Sequence, residues 1–389
     1  MQHIDESGGY GKNTVKKGSV YIRTIGCQMN VRDSEVIKGL LSAQGYELVD
    51  DAKEADVVLF NTCSVREHAE HRVWSIVGVL SRKKRRPLIG IIGCMAQNYK
   101  DEIFKKAPAV DMVVGPSEID NIALYLEEAL KKQGSGILGV AERKRREEIY
   151  HTGFYEKKDH AYVVISEGCD NYCSYCVVPY VRGRLRHRPQ EEIVREVEEA
   201  VSSGIPHVTL LGQNVNSYNS GLGEQGMDFV SLLERVSGVK GLKSLSFVTS
   251  HPKDVSRRLF EAMRDIPVIK RSLHMPAQSG SDRVLTMMNR GYSVKKYLEL
   301  VDLYRSIVYN GEVSSDFIVG FPTEDEDDFR KTCELAEKVK FDSAFIFKYS
   351  VRPGTKAAEF PDDVPQAVKE QRHFQLLELQ KKISKLKKH

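Results

Sequence analysis

The sequence lacks any uninterrupted apolar run of about eighteen residues, the length a helix needs to cross a bilayer. Its opening stretch, MQHIDESGGYGKNTVKKG, lacks the apolar core of a secretory signal. Both absences argue for a soluble protein, and the cytoplasm is the expected location. There is no large excess of either charge, because 58 Lys and Arg stand against 54 Asp and Glu for a formal net charge of +4. An even set of cysteines is missing too. The chain has seven, and a reducing compartment disfavours structural disulfides, so grouped thiols are expected to ligate metal or to react.

What is present suffices for two or three domains, since 389 residues are 41% hydrophobic and 29% charged. The basic residues gather into RKKRR at 82–86, RKRR at 143–146, RGRLRHR at 182–188 and the KKISKLKKH tail. Solvated surface or linker charge accounts for most such runs. The third run stands apart because it follows directly on a cluster of cysteines.

From 20 to 114 an apolar run, a turn and an amphipathic helix alternate, the pattern of a parallel α/β sheet. VYIRTIG leads into Cys27, ADVVLFNT into Cys63 and PLIGIIG into Cys94, while VDMVVG ends at Gly115 without a cysteine. Parallel strands end on one edge, where open α/β sheets bind ligands, so these cysteines are expected to converge. Apolar periodicity fades over 134–158, which marks a domain junction. Six further apolar runs follow, at 161–168, 207–214, 244–250, 269–278, 313–321 and 343–350. Separated by helical patterns, they predict a partial (β/α)6 barrel with its site at the C-terminal mouth of the strands. The expected organisation is an N-terminal open parallel α/β sheet domain over 18–140, the barrel over 155–365, and a basic helix over 366–389.

Cys169, Cys173 and Cys176 form C-x3-C-x2-C after the first barrel run. Structural zinc usually takes four protein ligands, whereas three thiolates on a four-iron cluster leave one iron open. Cys333 falls on a helical pattern and is expected to pack in the core.

At these residues the sequence resembles the radical S-adenosylmethionine superfamily, whose C-x3-C-x2-C loop holds a 4Fe-4S cluster with S-adenosylmethionine (SAM) on its open iron. Ordered motifs extend the likeness: GCQMN at 26–30, NTCSVREHAE at 61–70, GCMAQ at 93–97, SEGCDNYCSYCVVPYVRGR at 166–184, LLGQNVNSY at 210–218, TSHP at 249–252, QSGSDRVLTMMNRGY at 278–292 and SSDFIVGFPTE at 314–324. Together they are similar to the methylthiotransferases, and the CVVPY segment resembles the branch acting on isopentenylated adenosine in tRNA.

The resemblance implies two clusters, one on Cys169, Cys173 and Cys176 and an auxiliary one on Cys27, Cys63 and Cys94, with all six cysteines needed for catalysis. It implies two SAM molecules per turnover. One yields a 5'-deoxyadenosyl radical that takes hydrogen from C2 of the adenine at nucleotide 37, in the tRNA anticodon stem-loop. The other methylates a sulfur carried on the auxiliary cluster, and the product is 2-methylthio-N6-isopentenyladenosine. The SAM pocket is expected from Tyr175 at the adenine, Gly212, Gln213 and Asn214 at the amino group, and Ser250, Gln278 and Asp316 at the ribose or methionine. Arg182, Arg184, Arg186 and Arg188 are expected on RNA phosphates, with Tyr180 stacking on a base. An electron donor such as flavodoxin or ferredoxin is implied, and a monomer is expected. The family continues into a β-rich TRAM domain, so 366–389 is expected to connect to a domain that this chain lacks. The alternatives are methylthiolation of threonylcarbamoyl-adenosine or of a ribosomal-protein aspartate, and a noncatalytic iron–sulfur protein that binds RNA or senses redox state.

Overall fold

The computed structural model describes residues 17–64, 67–132, 136–220 and 227–387. The polar N-terminal stretch and the last two residues of the basic tail lie outside the described residues.

The first half is one six-stranded sheet. Its strands are β1 (Ser19–Ile25), β2 (Glu47–Leu48), β3 (Val57–Thr62), β4 (Leu88–Ile92), β5 (Met112–Val114) and β6 (Ile137–Gly139), in the order β2-β1-β3-β4-β5-β6. Every neighbouring pair is parallel. The crossover helices are α1 (Gln28–Ala43), α2 (Glu67–Leu80), α3 (Cys94–Tyr99), α4 (Glu102–Lys106) and α5 (Ile122–Lys132). Because helices cover both faces, the central strand β3 reads VVLFNT and is buried throughout. The edge strand β6 lies inside the stretch where sequence periodicity fades. At three residues it is too short to show a period of two, yet Ile137 and Leu138 pair with Met112 and Val113.

The second half opens with β7 (His160–Val164), followed by a two-stranded antiparallel clip of β8 (Ser166–Glu167) and β9 (Arg186–His187) around the short helix α6 (Val178–Val181). Then come α7 (Gln190–Ser202), β10 (His207–Leu211), a small ribbon of β11 (Asn219–Ser220) and β12 (Met227–Asp228), α8 (Phe229–Ser237), β13 (Ser244–Phe247) and α9 (Arg257–Asp265). The rest is β14 (Ser272–His274), α10 (Asp282–Met287), α11 (Val294–Ile307), β15 (Glu312–Val319), α12 (Glu326–Val339), β16 (Ser343–Lys348) and α13 (Gln366–Leu386). β7, β10 and β13 pair in parallel, as do β14, β15 and β16, and a bridge from Leu245 to Ile269 joins the two sets. The six expected barrel strands are therefore all present in one open, curved array.

Side-chain alternation gives that array its two faces. Along β15, buried Val313, Phe317 and Val319 face the helices, while Ser314 and Asp316 are partly exposed on the other face. Helix starts are set by short polar caps: Ser256, Ser281, Ser293 and Asp325 each accept a backbone N–H from the first turn. α13 lies on the barrel. Its Leu376 and Ile383 join the barrel core, and Arg372 donates to the Glu324 carboxylate at 3.0 Å.

The two halves share a buried junction. Val164 and Leu211 of the barrel pack into the core of the N-terminal domain beside Ile149 and Tyr150. Around this apolar patch runs an ionic network from α1. Arg32, wholly buried, reaches Glu196 of α7 at 2.9 Å and the Tyr150 carbonyl at 2.8 Å. Asp33 accepts from Arg145 and Arg182, each at 2.7 Å. The RKRR run is only partly solvated charge, because Arg145 sits 4% exposed inside the junction and Arg143 pairs with Asp120, while Lys144 and Arg146 are exposed.

Candidate active site at the strand ends

Three neighbouring strands deliver the N-terminal cysteines. Cys27 caps α1 just beyond β1, Cys63 follows β3, and Cys94 begins α3 just beyond β4. These strands are adjacent in the sheet, so their ends fall side by side, as the sequence predicts. The Cys63 amide donates to the Ile25 carbonyl at 3.1 Å. Behind the thiols, Asn30 Nδ2 donates to Asn61 Oδ1 at 3.0 Å, and Asn61 Nδ2 returns a bond to the Asn30 carbonyl at 2.8 Å. This amide pair explains the glycine before Cys94. Gly93 has φ +86°, and a Cβ there would stand 2.5 Å from Asn61 Oδ1.

The second triad sits on the loop clipped by β8 and β9. Gly168, at φ +73°, turns the chain into Cys169 so tightly that a Cβ would lie 2.2 Å from the Arg184 carbonyl. The Cys176 amide donates to the Cys173 carbonyl at 2.9 Å, and the Ser174 amide to Met288 at 3.0 Å. Tyr172 in this loop is held left-handed at φ +46°, and Asn289 Nδ2 donates to its carbonyl at 3.0 Å.

The two triads meet at α6. Cys176 lies just before this helix, whose flank presents Val177 and Val181 to Cys94 in a shared apolar cluster. Arg182 follows the helix, and its Nε donates to Cys94 Sγ at 3.3 Å. A hydrogen bond with Cys63, helped by the Arg182 charge, draws the Cys27 thiol down to about 6. Burial pushes the Cys94 thiol up, with Arg182 pulling the other way. Burial and then the Cys173 charge push Cys176 up to about 12. Among the described residues no group of His, Cys, Asp or Glu is arranged to hold a single metal ion. Thiolates on different irons of one cluster need not meet at a point.

The predicted pocket residues occupy strand ends of the barrel. Gly212 follows β10, and a Cβ on it would stand 2.7 Å from Ser166 Oγ. Gln213 beside it is half-buried. Asn214 is 2% exposed and engaged, donating to Asp254 at 2.6 Å and accepting from the His251 amide at 3.2 Å. Ser250 follows β13, directly after Thr249 at φ +72°, and Gln278 beyond β14 is itself left-handed at φ +69°. Asp316, on β15, lies 3.4 Å from His274 Nε2. Tyr175 leans toward Val284, Met288 and Phe321, with its hydroxyl 3.4 Å from Arg290.

The arginine run divides. Arg184 is the most exposed, with 79% of its side chain in solvent, and faces Asp170 at 3.5 Å. Arg186 is partly exposed near Glu167. Arg182 and Arg188 do not fit the expected phosphate contacts, because each is only 3% exposed. Arg182 pairs with Asp33, and Arg188 binds Glu147 at 2.7 Å and Glu196 at 2.5 Å. No phosphate reaches either without opening the junction. Tyr180 is 44% exposed and stands edge-on to the exposed Tyr172, ring centres 6.2 Å apart.

Residues 19–115 match uncharacterized protein family UPF0004, and residues 163–336 match the Radical SAM superfamily. A tRNA-2-methylthio-N(6)-dimethylallyladenosine synthase of Rhodopirellula baltica is 44% identical, the match covering 94% of this chain and 80% of that protein. The synthase of the same name from Caldicellulosiruptor saccharolyticus is 43% identical, covering 98% of this chain and 81% of the relative. The chain belongs to this synthase family. Its fold is also similar to two solved structures. One is the radical S-adenosylmethionine methyltransferase TsrM from Kitasatospora setae, with cobalamin and a [4Fe-4S] cluster bound, at TM-score 0.59 and 14% identity, covering 87% of this chain and 76% of that one. The other is the cobalamin-dependent S-adenosylmethionine radical enzyme OxsB, at TM-score 0.57 and 12% identity, covering 95% of this chain and 56% of that one. At such identities the likeness shows the fold. Among the described residues, no helix is long and apolar enough to cross a membrane.

The residues of this synthase-family barrel suit SAM. Ser166 Oγ, Ser250 Oγ, His251 Nε2 and Gln278 Oε1 are buried at strand ends without hydrogen-bond partners. A ligand bearing amino, carboxylate and hydroxyl groups offers the donors and acceptors they lack. Ser166, His251 and Arg290 join the candidate site through these buried atoms and the Arg290 contact to Cys173; sequence reasoning passed over them, although all three lie inside motifs it had marked.

Proposed function

We propose that this chain converts N6-isopentenyladenosine at position 37 of tRNA to its 2-methylthio derivative. The observation that carries the reading is the seating of α6 between the triads, with Cys176 just before the helix and Cys94 packed on its flank. On this reading Cys169, Cys173 and Cys176 hold one 4Fe-4S cluster and Cys27, Cys63 and Cys94 the other. Bound clusters and SAM supply reductive sulfonium cleavage, sulfur and a methyl group.

The chain's own groups do the remaining work. Ser166, Ser250, His251 and Gln278 orient SAM through their unpaired polar atoms, and Tyr175 bounds its adenine end. Burial pushes His251 down to about 2, with the Arg290 and Lys253 charges adding to the effect. It therefore stays neutral at working pH and offers Nε2 without a charge. Val177 and Val181 keep water from the space between the triads. At the rim, Tyr172 and Tyr180 stack against unpaired anticodon-loop bases, and Arg184 meets a phosphate. The electron donor is a small low-potential carrier such as flavodoxin or ferredoxin, and the enzyme acts as a cytoplasmic monomer.

Nucleoside mass spectrometry of total tRNA from cells lacking this protein tests the assignment. Loss of 2-methylthio-isopentenyladenosine with accumulation of isopentenyladenosine, both reversed on complementation, is the expected result. An unchanged level of the methylthiolated nucleoside would rule the assignment out.

A further inference from the structure

Each cysteine triad has one sulfur that accepts from a buried arginine. Arg182 Nε lies 3.3 Å from Cys94 Sγ, and Arg290 Nη1 lies 3.3 Å from Cys173 Sγ. The two guanidiniums are 3% and 5% exposed. Their other donors differ in kind. Arg290 spends its donors on neutral oxygens, the Pro276 carbonyl and the hydroxyls of Tyr175 and Tyr292. Arg182 gives Nη2 to the Asp33 carboxylate at 2.7 Å. The other Asp33 oxygen takes Arg145 at 2.7 Å, and Arg145 also lies 2.7 Å from Glu167, two residues before Cys169. A continuous set of charge-assisted bonds therefore runs from the Cys94 sulfur, across the domain junction, to the base of the barrel loop.

We propose that Arg182 is a positioning residue for the N-terminal triad, which donates to the Cys94 sulfur, sets the reduction potential of the cluster held there, and fixes that triad against the barrel loop through Asp33. The inference rests on the two-cluster reading given above. A hydrogen bond and a positive charge beside a ligand sulfur stabilise the more electron-rich, reduced form. Asp33 partly cancels that charge, so the two residues act in opposite directions. A planar fork holds sulfur and carboxylate in one fixed geometry; a lysine ammonium keeps the charge without that fixed fork. The barrel loop thereby carries the group that tunes the other domain's centre, which makes correct docking a condition for the correct potential.

The test uses the full chain with Cys169, Cys173 and Cys176 replaced by alanine, reconstituted with iron and sulfide, and titrated potentiometrically with electron paramagnetic resonance as the readout. Arg182→Met is expected to shift the midpoint to lower potential and Asp33→Asn to shift it higher, with Arg182→Lys between Arg182→Met and the parent. Arg290→Met, whose guanidinium contacts Cys173 of the other triad, is expected to leave the midpoint where it was. A parental midpoint in Arg182→Met at parental iron content overturns the inference and leaves the two-cluster reading intact. If Arg182→Met does not fold, Asp33→Asn decides, and the absence of an upward shift overturns the inference. A parent protein that binds no iron refutes the two-cluster reading and takes the inference with it.

Discussion

Arg32 of the N-terminal domain and Glu196 of the barrel form an ion pair at 2.9 Å in which neither side chain has solvent exposure. Glu196 also accepts Arg188 at 2.5 Å, so one carboxylate bridges two guanidiniums from opposite sides of the junction. Removing one partner of a buried pair leaves uncompensated charge, which costs about 3–5 kcal/mol. Glu196→Gln is therefore expected to lower the melting temperature sharply and to open residues 140–159 to limited proteolysis. An unchanged melting curve would show that the pair contributes nothing net.

On the proposed two-cluster reading the two triads divide the chemistry. Cys169→Ala should abolish formation of 5'-deoxyadenosine from SAM, because the open iron is lost. Cys63→Ala should leave that cleavage measurable and stop methylthiolation. Both products can be quantified in one chromatographic assay of the reduced protein. Equal loss of cleavage in two folded variants would contradict this division.

Burial separates the arginines open to the proposed RNA contacts from those that hold the fold. Arg184→Ala should weaken tRNA binding and reduce the slope of log affinity against log salt by about one phosphate contact. Tyr180→Ala should cost about 1–3 kcal/mol of binding through lost stacking, with little change in that slope. Arg188→Ala should instead lower thermal stability, since it strands Glu147 and leaves Glu196 with Arg32 alone. Filter binding across a salt series, paired with melting curves, separates these outcomes.

Glu324 gives the fold a pH dependence of predictable sign. Burial pushes its carboxyl up to about 7, against the pull of the Gly320 amide and Arg372. The native state thus keeps a proton that the unfolded chain, near the ordinary value of 4.5, has already released. The stabilisation is complete below the unfolded value and is lost as pH rises through the folded one, at up to about 1.4 kcal/mol per pH unit. Denaturant melts near the two ends of that window should show this loss in the parent and a flatter dependence in Glu324→Gln. Equal slopes in the two proteins would contradict the shift.

Much of this architecture is legible in the sequence because its signals are local. A strand ending in Gly-Cys is visible in VYIRTIGC and PLIGIIGC, and the six barrel runs carry apolar cores bounded by turns. The arginine roles are not legible, because the partners lie far along the chain. Arg182 meets Asp33 149 positions away, and Arg32 meets Glu196 across 164. Nothing in RGRLRHR distinguishes the exposed Arg184 from the buried Arg188. Ser166 and His251 escaped for another reason: what marks them is an unsatisfied polar atom, and only packing reveals that.

Helix α1 buries the charged Arg32, Asp33 and Glu35 around its second turn as well as the apolar Val36, Ile37 and Leu41, where globular helices ordinarily bury apolar residues alone. During synthesis the sheet domain leaves the ribosome before the barrel that will cover it. Until then these charges hold water at the rim of the apolar patch that Val164 and Leu211 will cover, which limits its adhesion to other chains. The sheet domain can wait for its partner in a crowded cell, and the junction locks once Arg182, Arg188 and Glu196 arrive.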